Sequence, residues 1–288
     1  MTAKKKDQSN TTRMEQDSTF HFGCNKGAGC FTQCCGDVLI FLSPYDIIRM
    51  KNALGIPSYE FLEKYTLLPI YKELRLPVRI LKMKEDDDKK CPFVTDDGCS
   101  IYENRPWPCR MYPITEESEQ NDYGVISDYY ALLKEDRCKG HDSEDCKAYT
   151  LGEWLDEQGL KEYSEMDKLF REVTTHEFFD AGGMLNEQKM HMFHTAAYDV
   201  DRFRIFVFET KFLQVYDIPE DRLEKMKTDD VELVKFAFEW LRFSLFGDEI
   251  LKPREEAIKK FKEGSKALEE DERKFEDVAE HGWKKKNE

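Results

Sequence analysis

The sequence predicts a mainly helical α+β protein in which an irregular, cysteine-rich module with short strands packs on a helical C-terminal half. Three observations predict it. Seven of the nine cysteines crowd into two glycine- and proline-rich stretches, residues 24–35 and 91–109. Between and after those stretches lie short runs of strand character. From about residue 150 onward, apolar and aromatic residues recur at helical spacing.

The organisation expected is a disordered N-terminal tail over 1–19, a cysteine-cluster module over 20–149, a helical region over 150–276 and a polar tail over 277–288. Residues 1–19 are polar and lack apolar periodicity. HFGCNKGAGCFTQCCGD follows; with so much Gly and Cys it reads as a knuckle-like loop, not a helix. A helix then begins at Ser43, whose side chain suits a cap. Pro44 fits its first turn, Asp46 completes a capping box and Gly55 ends it, with Ile47, Ile48 and Leu54 as its apolar side. A second short helix starts at Ser58, with Phe61, Leu62 and Tyr65 facing inward. Residues 78–84 (VRILKMK) alternate as a strand does. Asp97-Gly98 marks a tight turn between two short extended pieces. ENRPWPCRMYP, with three prolines, reads as irregular, and residues 123–133 as one more strand.

Thr150 and Glu153 form a capping box ahead of Trp154 and Leu155. Further helices are expected over Met166 to Phe179, Glu187 to Phe212, and Asp230 to Phe246, the last ended by Gly247. Phe203, Phe206, Phe208, Phe212, Phe236, Phe238, Trp240, Phe243 and Phe246 crowd this half. Such a stripe is core before it is a cofactor groove. A charged helix opened by Pro253 runs to about residue 277.

The 288 residues suffice to bury a real core, and a 13% aromatic share argues against general disorder. A net charge of −15 repels phosphate backbones, and no basic patch offsets it, so no nucleic-acid partner is expected. No window approaches the ~18 apolar residues a membrane span needs, so no membrane partner is expected either. The charged N-terminus lacks the apolar stretch of a secretory signal, which places the chain in the cytoplasm. In that reducing compartment, clustered thiols hold metal or do redox chemistry more often than they pair as disulfides.

The cysteines run Cys24-x5-Cys30-x3-Cys34-Cys35, then Cys91-x7-Cys99-x9-Cys109, then Cys138-x7-Cys146. Tight reversals at Gly and Pro let several sulfurs converge on one cation, which binds them as thiolates. No zinc-type C-x2-C pair is present. The vicinal Cys34-Cys35 is unusual, because neighbouring side chains in extended backbone diverge. They serve two different centres, or one ligates while the other packs.

CNKGAGCFTQCCG followed by LSPYDIIRM, CPFV…GCSIYENRPWPCRMYP and CKGH resembles the YkgJ-like cysteine-cluster family, a zinc- or iron-chelating group, over roughly residues 20–142. The spacing departs from the C-x2-C-x4-C-C expected of that family. The resemblance implies metal ligation by Cys24, Cys30, Cys34, Cys35, Cys91, Cys99, Cys109 and Cys138, as two four-sulfur sites or one cluster with structural thiols, and leaves Cys146 spare. It implies chelated zinc or an iron–sulfur cluster such as a 4Fe-4S centre. Iron is favoured because zinc-type pairs are missing and Cys91-Pro92 is similar to the Cys-Pro pair of bacterial ferredoxins. A flagellin lysine methylase carries a similar cysteine module, which makes S-adenosylmethionine-dependent methylation one alternative.

Arg105 and Arg110 flank Cys109 and could offset thiolate charge at a bound cofactor; pairing with surface carboxylates is the plain alternative. His141, three residues after Cys138, and His21, near Cys24, are reserve ligands. His191 and His194 share a helix face but have no thiol or acidic partners nearby, and read as ordinary helix histidines. No nucleophile motif, Walker loop or dinucleotide fingerprint occurs. The expected function is metal binding through clustered thiolates, with an iron–sulfur cluster or zinc as cofactor and a redox or electron-transfer use. The alternative from another class is a structural zinc module whose helical half binds a protein partner.

Overall fold

A computed structural model describes residues 10–69, 75–120, 126–142 and 145–259, and it has the α+β architecture expected, with small sheets and a helical C-terminal half. The first helix shows how closely local chemistry sets the elements. In α1 (Pro44–Leu54) the Ser43 hydroxyl accepts from Asp46 N while Asp46 Oδ2 accepts from Ser43 N at 2.7 Å. Gly55 closes the helix at φ +64°, a left-handed conformation that glycine adopts without steric cost. Ile47 and Ile48 are buried beneath it, as are Phe61 and Leu62 of α2 (Ser58–Tyr65).

The strands are short and form four small antiparallel sheets among the described residues. β1 (Thr11–Met14) and β8 (Ile114–Gln120) both pair with β9 (Ile126–Leu133), and β2 (Thr19–Phe22) pairs with β10 (Lys147–Thr150). β5 (Arg79–Leu81) lies between β3 (Phe41–Leu42) and β4 (Thr66–Leu67). β6 (Val94–Thr95) and β7 (Gly98–Cys99) form a hairpin, with Gly98 at φ +110° just past the two-aspartate turn. Residues 11–14, assigned by their polarity to a disordered tail, are therefore a strand. Backbone pairing to β9 organises them where side-chain hydrophobicity does not. Residues 1–9 of that tail lie outside the described residues, as do 123–125 of the expected strand and 277–288 of the polar tail.

The proline-rich ENRPWPCRMYP is not wholly irregular. It is entered through a 3-10 turn at Tyr102–Asn104 and contains a short helix, α3 (Trp107–Met111), with Pro108 in its first turn. In the second half, α4 (Leu151–Glu157) opens on the expected Thr150–Glu153 capping box. α5 (Leu160–Thr174) starts earlier than expected and stops before α6 (Glu177–Asp180), which the His176 side chain caps. The helix anticipated over 187–212 is broken into α7 (Glu187–Tyr198), α8 (Val200–Glu209) and α9 (Phe212–Val215). Asp199 makes the first break. Its carboxylate caps α8 and accepts from Ser58 Oγ at 2.6 Å, a local alternative to continued helix. α10 (Glu220–Thr228) precedes α11 (Asp230–Leu241), which runs through a π turn at Arg242–Phe246 to Gly247, at φ +87°. The first turn of the charged helix after Pro253 is formed; residues 260–277 lie outside the described residues.

Two hydrophobic cores result. The larger joins Ile47, Phe61 and Phe93 to Phe193, Phe203, Phe236 and Leu241, and so draws on residues from both sides of position 150. Most of the aromatic stripe lies in it: Phe203, Phe212, Phe236, Phe238 and Trp240 are buried, whereas Phe206 is exposed. The smaller gathers Phe20, Phe22, Met111, Ile114, Tyr149 and Trp154. A buried ion cluster fastens α1 to the helical half, Lys51 Nζ reaching Asp230 at 2.8 Å and Asp201 at 3.3 Å while Arg204 binds both carboxylates. Each buried charge is paired, as burial requires.

Candidate metal centre

All nine cysteines are free thiols; Cys30, Cys34 and Cys138 lie within electrostatic reach of Cys24, and Cys91 and Cys99 within reach of Cys109, which marks two groups. The first group starts where β2 ends. Gly23 N donates to Gly140 O at 2.8 Å, which lays the 138–141 turn beside Cys24. A side chain at Gly140 would meet the Phe22 ring at 2.7 Å and Gly23 O at 2.9 Å, so this approach needs glycine. Lys139 N donates to Cys30 Sγ at 3.1 Å, joining the knuckle to the Cys138 turn. Cys34 stands in a 3-10 turn entered through Thr32 at φ +64°. Cys24 is the exposed member. Burial of its sulfur, and the nearby thiols of Cys34, Cys30 and Cys138, push Cys24 up to about 11.

The second group begins one residue later. Cys91 N donates to Cys35 O at 2.7 Å, and Gly36 bridges Lys90. Cys99 faces Val94 in the β6–β7 hairpin, and Cys109 sits in α3. That helix is anchored from a distance. Asp46 Oδ1 accepts from Trp107 N at 2.7 Å, so the residue capping α1 also holds the first turn of the Cys109 helix. Burial pushes the Asp46 carboxyl up to about 6, while the bonds it accepts from Trp107 and Ser43 oppose the shift. Cys109 is pushed up to about 12 by burial and by Cys91 and Cys99. Burial raises Cys91 and Cys99 as well, against backbone N–H groups of Phe93 and Ile101 that donate to their sulfurs. Amide donors aimed at sulfur favour the thiolate a metal needs.

The vicinal pair joins the groups. A hydrogen bond from Cys35 and the Arg137 guanidinium hold Cys34 down at about 7 against burial. The same bond, burial and the thiols of Cys34, Cys109 and Cys91 drive Cys35 far upward.

Arg105 is buried, with Nη1 donating to Tyr102 O at 2.7 Å, Nη2 to Gln158 Oε1 and Nε to Cys109 O at 3.4 Å. Its charge is felt at Cys24, Cys99 and Cys109. Arg110 donates to the carbonyls of Arg105, Gln158 and Glu103 and to Tyr163 Oη, so its guanidinium ties the module to α5. His141 Nδ1 lies 3.1 Å from His21 O. A carbonyl only accepts, so Nδ1 carries the proton and Nε2 presents a lone pair, which is buried without a partner. Tyr112 Oη is likewise buried without a hydrogen bond of ordinary geometry, and its hydroxyl is raised by burial and by nearby Cys138. His194 does not serve as a ligand: Arg79 Nε and Nη2 donate to its Nε2 at 2.9 and 2.6 Å.

Among the described residues no three Cys, His, Asp or Glu side chains close on a common point tightly enough to hold an ion as they stand. Four thiolates around one zinc would lie roughly 3.8 Å apart, from bonds of about 2.3 Å in a tetrahedron. Neutral, buried thiols have no attraction that draws them so close; a cation supplies it, displacing their protons. The donor set suits such an ion: soft sulfur from separate segments, amide groups aimed at sulfur, and a guanidinium to balance charge.

Residues 23–129 match the family model CxxCxxCC, whose description is "Putative zinc- or iron-chelating domain". That stretch is similar to this zinc- or iron-chelating domain, and metal chelation is the class of activity the match supports. The family's own spacing, C-x2-C-x2-C-C, is tighter than the x4 expected for its second gap. No curated protein and no solved structure matches the chain. Cys138 falls beyond the matched segment, yet the contact of Lys139 N with Cys30 Sγ brings it to the knuckle. Among the described residues no helix is long and apolar enough to cross a membrane.

Sequence reasoning missed Asp46 as a support of the Cys109 helix. Its cap motif was plain, but Trp107 lies 61 positions away and no local signal connects them.

Proposed function

We propose that residues 20–142 bind an iron–sulfur cluster through cysteine thiolates and that the protein serves electron transfer or a redox reaction. One observation supports this reading: free thiols from separate segments lie near one another, Cys30, Cys34 and Cys138 about Cys24 and Cys91 and Cys99 about Cys109, with backbone amides donating to several of their sulfurs. Cys24, Cys30, Cys34, Cys35, Cys91, Cys99, Cys109 and Cys138 would be the pool of ligands, of which one cluster takes four. Arg105 would sit beside the bound sulfur and Arg110 would fix the backbone that presents it. A cluster so held supplies one-electron transfer, with a potential set by hydrogen bonds to sulfur and by solvent access.

The test is anaerobic purification followed by iron, zinc and acid-labile sulfide analysis. The expected protein is brown, with broad absorption near ~400 nm and iron matched by sulfide. A colourless protein with stoichiometric zinc would replace this reading with a structural zinc module. Saturable S-adenosylmethionine binding in calorimetry would instead favour a methylase.

A further inference from the structure

We infer that the outer edge of β8 is a docking edge for an extended, lysine- or arginine-bearing segment of a partner protein, which adds to the three-stranded β1–β9–β8 sheet as a further strand. The inference is independent of the metal-binding reading above.

The backbone register identifies the open edge. Along the β8–β9 ladder Thr115 lies opposite Ala131 and Glu117 opposite Tyr129. Just before β8, Leu133 N donates to Pro113 O at 2.8 Å, which marks 113 and 133 as a hydrogen-bonded pair. Such pairs alternate along an antiparallel ladder. Thr115, Glu117 and Glu119 therefore turn their N–H and C=O groups to β9, whereas Ile114, Glu116 and Ser118 turn theirs outward. The other side of β9 agrees, because Lys134 N donates to Asn10 O at 2.9 Å and so assigns Tyr130 and Leu132 to β1. Among the described residues no strand lies beyond β8, and no backbone hydrogen bond meets the outward groups of Glu116 and Ser118. Ile114 is buried, but the strand runs outward from there, and Ser118 and Glu119 are exposed. An open edge of this kind is a template for another strand.

Charge selects what the edge takes. β8 and β9 carry Glu116, Glu117, Glu119 and Asp128, and neither strand has a lysine or arginine. Arg171 of α5 reaches Glu116 at 3.5 Å and Asp128 at 2.8 Å, and Arg13 of β1 reaches Glu119 at 2.6 Å. Glu117 has no cationic partner among the described residues; its carboxylate accepts from Tyr129 Oη at 2.8 Å. The edge keeps a surplus of negative charge. Two copies of β8 would set glutamate near glutamate, and like charges directly opposed destabilise a strand pair. Relative to an added strand, Glu117 and Glu119 occupy the non-hydrogen-bonded positions, where facing side chains come closest. A lysine or arginine opposite either one gains a favourable cross-strand pair. Self-pairing is opposed and a basic segment is favoured.

The experiment titrates a fluorescent, end-capped peptide of alternating lysine and valine into the full-length protein and follows anisotropy, with a glutamate–valine peptide as control. Saturable binding of the lysine peptide alone is expected. Ser118→Pro removes an outward N–H at a position where an edge strand tolerates proline, so it should keep the circular dichroism spectrum and weaken binding about tenfold. Glu117→Gln keeps an acceptor for Tyr129 and should weaken binding about threefold. Hydrogen exchange of the wild type gives a second readout. The Glu116 and Ser118 amides should exchange fast alone and slowly with peptide, while those of Thr115 and Glu117 are protected in both states. Binding that Ser118→Pro leaves unchanged, or that gives those two amides no protection, would overturn the edge as the site. Exchange decides the matter alone if the variant fails to fold. Equal binding of both peptides would overturn the charge selection. A dimer that forms without peptide and that Ser118→Pro dissociates would give the edge to a second copy instead. Absence of binding by the lysine peptide would overturn the inference, leaving the glutamates only to keep copies apart.

Discussion

The thiol module and the helical half are held together by opposite means. In the helical half, large side chains interlock: Phe236 is fully buried, its ring centroid 5.9 Å from Phe212 and 6.4 Å from Phe203. Its polar groups are mostly intrahelical or capped. Around the cysteines few apolar side chains are fully buried, and backbone hydrogen bonds across turns set the shape. The helical half is held by this burial, which it shares with Ile47 of α1 and Phe61 of α2. On the proposed reading, an ion would draw the sulfurs of the thiol module together and supply chemistry that a packed core cannot.

The largest expected effect is on the helical side. Phe236→Ala should cost about 3–5 kcal/mol, the usual range for deleting a buried aromatic ring. Denaturant unfolding followed by far-ultraviolet circular dichroism would measure it. If the contrast is right, metal content per folded chain is unchanged. A drop in metal matching the drop in stability would show that the two regions depend on one another more than their construction suggests.

Asp46→Ala tests the joint between them. It removes the capping box of α1 and leaves Trp107 N without its acceptor. A cap is worth about 1 kcal/mol and an unsatisfied buried amide about 1–3 kcal/mol, so a loss of roughly 2–4 kcal/mol is expected. Unlike Phe236→Ala, it should also speed metal release, because α3 carries Cys109. Chelator kinetics unchanged from wild type would show that Cys109 is held without α1.

A smaller effect concerns acid stability. His194 is held down at about 4 by burial and by the Arg79, His191 and Arg202 charges. Its ordinary value is 6.5, so between pH 6.5 and 4 the unfolded chain binds a proton that the folded chain does not. Stability therefore falls as pH falls through that window, by up to about 1.4 kcal/mol per unit. His194→Gln cannot take up that proton and should flatten the acid limb measured by urea unfolding at several pH values. An unchanged limb would mean that Arg79 does not keep the imidazole neutral.

Legibility followed the range of the interactions. Both capping boxes, Ser43–Asp46 and Thr150–Glu153, are as the sequence reads them, because a cap is decided within four residues. Gly55 and Gly247 end their helices for the same local reason. The break at Asp199 was hidden because its cause, Ser58, lies 141 positions away. β8 was missed because its residues (ITEESEQ) are polar on both faces, and pairing with β9 makes it a strand. α10 carried a readable signal in Pro219 followed by Glu220 and Asp221, the acidic first turn of a helix. At the metal centre, residue types and clustering were plain from sequence. Which thiols lie near one another was not, since that depends on which turns meet.

The smallest expected effect is the sharpest test of the ligand set. Cys146 sits just before β10, opposite the start of the knuckle: a side chain at Gly23 would lie 3.1 Å from Cys146 Cα. Nearness of backbone alone would thus make it a ninth ligand. Its side chain, however, is not among the thiols whose charge most strongly affects Cys24, which are Cys34, Cys30 and Cys138. Cys146→Ser should leave metal content, release kinetics and unfolding midpoint at wild-type values, whereas Cys109→Ser should lower metal content and unfolding midpoint. Elemental analysis of the two variants side by side distinguishes proximity from ligation. If Cys146→Ser loses metal, the sulfur opposite Gly23 is a ligand and the set of eight must be revised.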